Sequence, residues 1–299
     1  MKVAWSEIYC HPLPRNHRFP MSKYELLPEQ LVHHGIISRK DLFRPKPISE
    51  DLILLTHNQN YWERLSRGEL SKQEIRRTGF PYSKALVDRE IHIMGGTTAC
   101  THFALQDGVS LNVAGGTHHA FTDKGEGFCL LNDIGIATSF LLRSGKAERV
   151  IIIDLDVHQG NGTAEIFRQN EKVFTFSMHG KNNYPLNKER SDLDIELPDG
   201  TSDAFYMEEL DRALSETFEA HRPDFAFFQS GVDILAGDKL GRLNVSVEGC
   251  KLRDRMVFKK CFETGTPVVA SMGGGYAPKL SAIVNAHTNT FQEAKNIFF

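Results

Sequence analysis

Cysteine is sparse in this chain. Cys10, Cys100, Cys129, Cys250 and Cys261 are far apart and odd in number, and no CxxC pair occurs. That spacing indicates neither a disulfide framework nor a cysteine-built zinc site, and a reducing cytoplasm is the expected setting. Long apolar runs are missing too. None approaches the ~18 residues of a membrane span, and the opening MKVAWSEIYCHP has no long apolar core of the secretory kind. Charge of one sign does not dominate: the net value is −3 at pH 7, which gives no general pull towards nucleic acid or an anionic membrane. Neither GxGxxG nor a Walker lysine accompanies Gly115-Gly116 or Gly273–Gly275, so these are not read as phosphate loops. Repeats, low-complexity tracts and obvious linkers are absent, and residues 1–299 read as one domain.

What is present is a chain of soluble globular composition, 40% hydrophobic and 24% charged, in which short apolar runs alternate with longer helical patterns. Strands are expected at Lys2–Trp5, Leu52–Thr56, Val109–Val113, Val150–Asp154, Val173–Met178, Asp224–Gln229 and Pro267–Ser271. Helices are expected at Ser22–His34, Ser83–Gln106, Asp133–Ser144, Thr163–Gln169, Ser202–His221, Val247–Thr264 and Leu280–Asn296, the second bending or breaking at Gly95-Gly96. Several strands are apolar throughout, which suits parallel strands covered on both faces. The expected fold class is α/β, with a central, mostly parallel sheet and helices on both sides.

The polar chemistry gathers after strand ends: GGTHHA, DVHQGNG, MHG, SGVDILAGD and GGGY. Open parallel sheets build sites at the carboxyl ends of their strands. The richest stretch is IIIDLDVHQGNG at Ile151–Gly162, where Asp154, Asp156 and His158 lie two residues apart. In extended chain, residues at that spacing point the same way. Buried carboxylates without a partner cost several kcal/mol, so a cation is expected among them. SGVDILAGD offers Asp238 and, five residues earlier, Asp233. A loop Asp also reads as a turn former or helix cap. Asp156, His158 and Asp238 would give three ligands and an open position, the pattern of a catalytic zinc site, though N/O ligands equally suit Fe(II), Co(II) or Mn(II). His118-His119 lies between glycine-rich segments and could carry a proton from water to a leaving amine. Tyr276 could donate to a developing oxyanion. Phe128 and Tyr184 are candidate walls of a substrate channel, although aromatics are more often core.

Taken together, GGTHHA, GEGFCLLND, DLDVHQGNG, SGVDILAGD and GGGY, in this order, resemble the histone deacetylase superfamily of metal-dependent amidohydrolases, from HRFPMSKY at His17 to AHTNTF near the end. DLDVHQGNG and HRFPMSKYELL resemble the class IV branch and its bacterial relatives. The resemblance implies an arginase/deacetylase-like fold and removal of an acetyl or other acyl group from a lysine side chain. It implies Zn2+ on Asp156, His158 and Asp238, His119 as general base and then acid, and His118 as its electrostatic partner oriented by Asp154. Tyr276 would be the oxyanion donor, with Phe128, Tyr184, Gly127 and Gly274 binding substrate. A structural K+ would lie near Asp154, Asp156, His158, Ser177 and Met178, and Arg18 would line an internal channel for the released acid. Asn161 departs from branches that carry an Asp there, and a neutral amide raises the His119 pKa less than a carboxylate would. Two alternatives stand beside this reading: a small-molecule deacetylase acting on acetylpolyamines or related amides, and a catalytically silent binding protein that keeps a metal for structure. Acyl-lysine proteins or small acylated amines are thus the expected partners, with no direct nucleic acid and no membrane.

Overall fold

The computed structural model describes residues 1–299. Eight strands form one sheet, β1 (Lys2–Ala4), β2 (Leu42–Phe43), β3 (Val109–Asn112), β4 (Val150–Asp154), β5 (Val173–Gly180), β6 (Leu193–Leu197), β7 (Phe225–Gln229) and β8 (Val268–Ser271). Their order is β2-β1-β3-β8-β7-β4-β5-β6, and every pairing is parallel. The helices are α1 (Lys23–His33), α2 (Glu50–Ile53), α3 (Gln59–Arg67), α4 (Lys72–Thr78), α5 (Lys84–Asp107), α6 (Asp133–Arg143), α7 (Asn161–Phe167), α8 (Asp203–His221), α9 (Val247–Thr264) and α10 (Leu280–Phe298).

Alternation along the strands divides the core. In β4, Ile151 and Ile153 join the apolar cluster that includes Leu27 of α1, Leu210 of α8, Phe258 of α9 and Phe291 of α10. Val150 and Ile152 point the other way, into a smaller cluster with Ala104 of α5, Leu141 of α6 and Phe167 of α7. Helices therefore cover both faces, as the continuous apolar strands require. The five cysteines are all unpaired. No helix is long and apolar enough to cross a membrane.

Two local expectations are overturned, and two strands appear that were not expected. The run expected as a strand at Leu52–Thr56 instead begins inside α2, whose first turn carries Glu50 and Asp51, and continues as a turn. Acidic side chains there suit the positive end of the helix dipole, and a four-residue apolar run has no period of its own to oppose it. The α5 helix does not break at Gly95-Gly96. These glycines serve close packing: a Cβ on Gly96 would meet Asn112 Nδ2 at 2.8 Å, and one on Gly95 would collide with the Lys46 carbonyl. Edge strands β2 and β6 were not foreseen, the first being two residues long and the second, LDIEL, charged on alternate positions.

Because all strands run the same way, their carboxyl ends share one edge. The four adjacent strands β3, β8, β7 and β4 each release a loop there. The chemistry described below comes mostly from those four loops.

Candidate active site

Strand β4 stops at Asp154, so Asp156 and His158 do not continue its alternation. The chain bends instead, with Asp156 N–H donating to Asp154 Oδ1 (3.2 Å) and His158 N–H to Asp156 Oδ1 (3.0 Å). All three side chains are buried, but they face different partners. Asp154 Oδ2 accepts from His118 Nδ1 at 2.7 Å. Asp156 and His158 instead meet Asp233, from the loop after β7, and one ligand atom from each of the three lies within 4.8 Å of the others. His158 Nδ1 sits 3.0 Å from Asp156 Oδ1 and 3.2 Å from Asp233 Oδ2.

Asp238, expected as the third ligand, lies outside this cluster. Its Oδ1 accepts from the backbone of Leu240 (2.8 Å) and Gly241 (3.0 Å), and its Oδ2 accepts from Tyr276 N–H at 2.6 Å. It therefore ties the loop after β7 to the loop carrying Tyr276. The neighbours of the two aspartates distinguish them. Asp233 lies between buried Val232 and Ile234, whereas Asp238 lies between Gly237 and Lys239, both exposed. A carboxylate inside an apolar tripeptide is carried into the core with it.

The three-residue set has the electrostatics of a cation site. Burial alone pushes Asp233 up, Asp156 adds to it, and the result is about 7. Burial pushes His158 down, but Asp156 and Asp233 together outweigh it and raise the imidazole to about 10. Asp233 Oδ2 is buried with no hydrogen bond of good geometry. Two carboxylates and one imidazole at this depth fit a divalent ion with N/O preference. Glycine makes the approach possible at Gly274, whose N–H donates to Asp156 Oδ2 (2.8 Å), because a Cβ there would collide with Asp233. From behind, fully buried Arg253 pairs with Asp254 (2.7 Å) and donates to the carbonyls of Leu155 (3.2 Å) and Gly231. One cation thus ties together the loops that carry Asp156 and Asp233.

His118 and His119, from the loop after β3, have rings 4.1 Å apart and opposite protonation tendencies. Burial pushes His118 down, but Asp154 more than compensates and its pKa is raised. Burial, His118 and His158 hold His119 well below the usual imidazole range. His119 Nδ1 donates to Asn161 Oδ1 at 2.7 Å. Asn161 Nδ2 in turn donates to Glu126 Oε1 at 2.8 Å, and the same oxygen accepts from Tyr184 Oη at 2.7 Å. A carboxylate can only accept, so it fixes the direction of the amide, and the amide fixes the proton on His119 Nδ1. The lone pair is left on Nε2. Glu126 was not anticipated from the sequence.

Tyr276 accompanies these groups, its ring centroid 6.4 Å from that of His158. Its hydroxyl is held in the protonated form, first by burial and then by Asp233 and Asp156. Phe128 lies 6.0 Å from Tyr276, ring to ring, and Tyr184 stands edge-on to His119 at 5.0 Å. Gly127 and Phe128 both have positive φ (56° and 67°), and a Cβ on Gly127 would meet His119 Cδ2 at 2.6 Å. The glycine thus admits the histidine while the next residue turns its ring towards the opening.

Arg18 lies at the opening. It lines an outer cavity of about 490 Å³ together with Phe128, Tyr184 and Tyr276, so the internal position expected for it is corrected. Behind the histidines is an inner space of about 30 Å³, and the arginine that reaches it is Arg89. Buried Arg89 also pairs with Glu90 and donates from Nε to the Tyr9 carbonyl at 2.7 Å. Fully buried Lys23 lies near it, its Nζ donating to the Gly273 carbonyl at 2.9 Å, and burial lowers its pKa to about 8. Ser177 and Met178 belong to β5, with Ser177 registered against Asp154.

The histone deacetylase domain matches residues 17–291. An uncharacterized protein of Picosynechococcus sp. is 40% identical over 99% of both chains. Histone deacetylase 2 of Arabidopsis thaliana is 30% identical, covering 90% of this chain and 72% of its own length. The acetoin utilization protein AcuC of Staphylococcus aureus is 28% identical over 87% of this chain and 72% of its own. Among solved structures, an HDAC homolog complexed with SAHA superposes with a TM-score of 0.85 at 25% identity, covering 99% of this chain and 84% of that one. An HDAC homolog from Aquifex aeolicus gives 0.83 at 24%, with the same coverage. With the sheet, the loop edge and the domain match in agreement, the chain belongs to the histone deacetylase family.

Proposed function

We propose that this chain is a metal-dependent hydrolase that removes an acetyl or other acyl group from an acylated lysine side chain. The observation that carries the reading is the meeting of Asp156, His158 and Asp233 with a neutral, tautomer-fixed His119 and a protonated Tyr276. Asp156, His158 and Asp233 would hold the metal, zinc in the first instance and Fe2+ or another divalent ion as an alternative. When bound, such an ion polarises an amide carbonyl and makes water more acidic.

The protein's own groups account for the proton traffic. His119 Nε2 takes a proton from the attacking water as the water oxygen bonds to the amide carbon. Tyr276 Oη donates a hydrogen bond to the oxyanion that forms. His119 then returns the proton to the departing nitrogen, the C–N bond breaks, and a carboxylic acid and a free amine result. His118, whose imidazolium form the paired Asp154 favours, discourages premature protonation of its neighbour. Phe128 and Tyr184, with Gly127 and Gly274, would frame the acyl chain. A structural K+ is proposed beside Asp154, Asp156, His158, Ser177 and Met178. It is supported by the backbone carbonyls of buried Asp156 and His158, which accept no hydrogen bond.

The test is a panel of acyl-lysine peptides and acetylated polyamines assayed with zinc-loaded and chelator-stripped protein. Hydrolysis should vanish on stripping and return with metal. His119→Ala and Tyr276→Phe should each lose on the order of 10²–10³ in rate. Activity that survives complete metal removal would reject the proposal.

A further inference from the structure

The opening above His119, His158 and Tyr276 is lined by five cations, Arg18, Arg76, Arg77, Lys239 and Arg242, and by no Asp or Glu. All five are exposed. Arg242 has Asp199 at 3.3 Å, and the other four have no carboxylate within 4.0 Å. The nearby Glu126 does not offset them. It is buried and turned inward to Asn161 and Tyr184. In a chain whose net charge is −3, so many free cations around one opening constitute a local reversal of sign.

Such a rim acts on the part of the substrate that stays outside the tunnel. An acylated polyamine would bring further ammonium groups against it, and like charges at this range are disfavoured. The cations also come from three separate segments: the turn before α1, the end of α4, and the loop after β7. An extended polypeptide laid across the opening would meet cations from all three segments. We propose that the rim selects acyl-lysine set among acidic residues of a protein chain and disfavours acylated polyamines. The inference rests on the deacetylase reading above and adds to it the charge class of the substrate.

The test uses the full chain, metal-loaded, and peptides that carry one acetyl-lysine between either Asp/Glu or Lys/Arg neighbours, with a neutral acetyl-lysine amide as reference. At low ionic strength the acidic peptide should exceed the basic one by about tenfold in kcat/KM, each normalised to the reference. The gap should narrow as salt rises, because exposed charges are screened. In Arg76→Glu/Arg77→Glu the preference should shrink or invert, again normalised to that variant's own rate on the reference. Equal kcat/KM for the two peptides at low salt, or a preference that the double reversal leaves untouched, overturns the proposal. Fluorescence anisotropy with the same labelled peptides reads the rim without turnover. Tighter binding of the acidic peptide supports the proposal, and equal or weaker binding overturns it. If that preference holds while no amide in the panel is hydrolysed, the deacetylase reading fails and the rim assignment stands.

Discussion

Replacing Asn161 by Asp puts a carboxylate 2.7 Å from His119 Nδ1, where an amide oxygen now sits. With charge centres roughly 4 Å apart and an effective dielectric of about 20, the attraction to an imidazolium is about 4 kcal/mol, equivalent to at most about three pKa units. Carboxylate neighbours ordinarily raise an imidazole by about 1–3 units. The sign is fixed: a higher His119 pKa means the base is lost at a higher pH, so the acidic limb of kcat/KM moves upward. Glu126 complicates the single variant, because its Oε1 lies 2.8 Å from the Asn161 nitrogen that becomes an oxygen. Two carboxylates at that range share one proton, and the added charge largely disappears. The full shift should therefore emerge only in Glu126→Gln/Asn161→Asp, with the single Asn161→Asp variant moving less. Glu126→Gln alone keeps an acceptor for Asn161 and Tyr184 and supplies the reference. The assay is kcat/KM against pH on a small acyl-lysine amide at saturating metal. Coincident acidic limbs in the wild type and the double variant would refute both the role of His119 as base and the relay through Asn161.

The two aspartates of SGVDILAGD should separate in a metal assay. Asp233→Asn should lose metal affinity by more than the ~10–100-fold typical of residues that only orient a ligand. Asp238→Asn should keep its metal and lose rate instead, because an amide group would face the Tyr276 N–H; elemental analysis of dialysed protein beside steady-state rates checks this. His57 governs acid stability. Its Nδ1 donates to the Phe121 carbonyl (2.8 Å), its Nε2 accepts from Asn132 N–H (2.9 Å), and burial pushes its pKa to about 4. The unfolded chain takes up this proton near pH 6.5 and the folded chain refuses it, so stability should decline as pH falls from about 6.5 to about 4. The total is on the order of 3 kcal/mol. Urea unfolding across that range should show a shallower pH slope in His57→Gln, and an unchanged slope would refute the assignment.

Much of this architecture was legible in the sequence for a simple reason. A buried parallel strand must be apolar on both faces, so VIIID and FAFFQ announce themselves, and the polar residues that follow can only lie at the carboxyl edge. His118, His119, Asp154, Asp156, His158 and Tyr276 were found that way. Failures arose where the deciding contact is distant in sequence. Asp233 and Asp238 share one loop, and only the packing of Val232 and Ile234 separates them. Glu126 is 35 residues from Asn161, and although it lies within GEGFCLLND nothing in that motif names its partner. Arg18 and Arg89 are both ordinary arginines in sequence, and only the fold decides which one faces inward. Spacing within a strand was also overextended: the chain bends after Asp154, so Asp156 and His158 meet Asp233 while Asp154 faces His118.

Arg253 has a consequence for how the two acidic loops are held together. Its guanidinium, paired with Asp254, holds the Leu155 and Gly231 carbonyls together from inside the core. The spacing of the loops that carry Asp156 and Asp233 is thereby set in part by a contact inside the core. On the metal-dependent reading proposed above, the fold would then lean less on its ion than small zinc modules, which collapse without theirs.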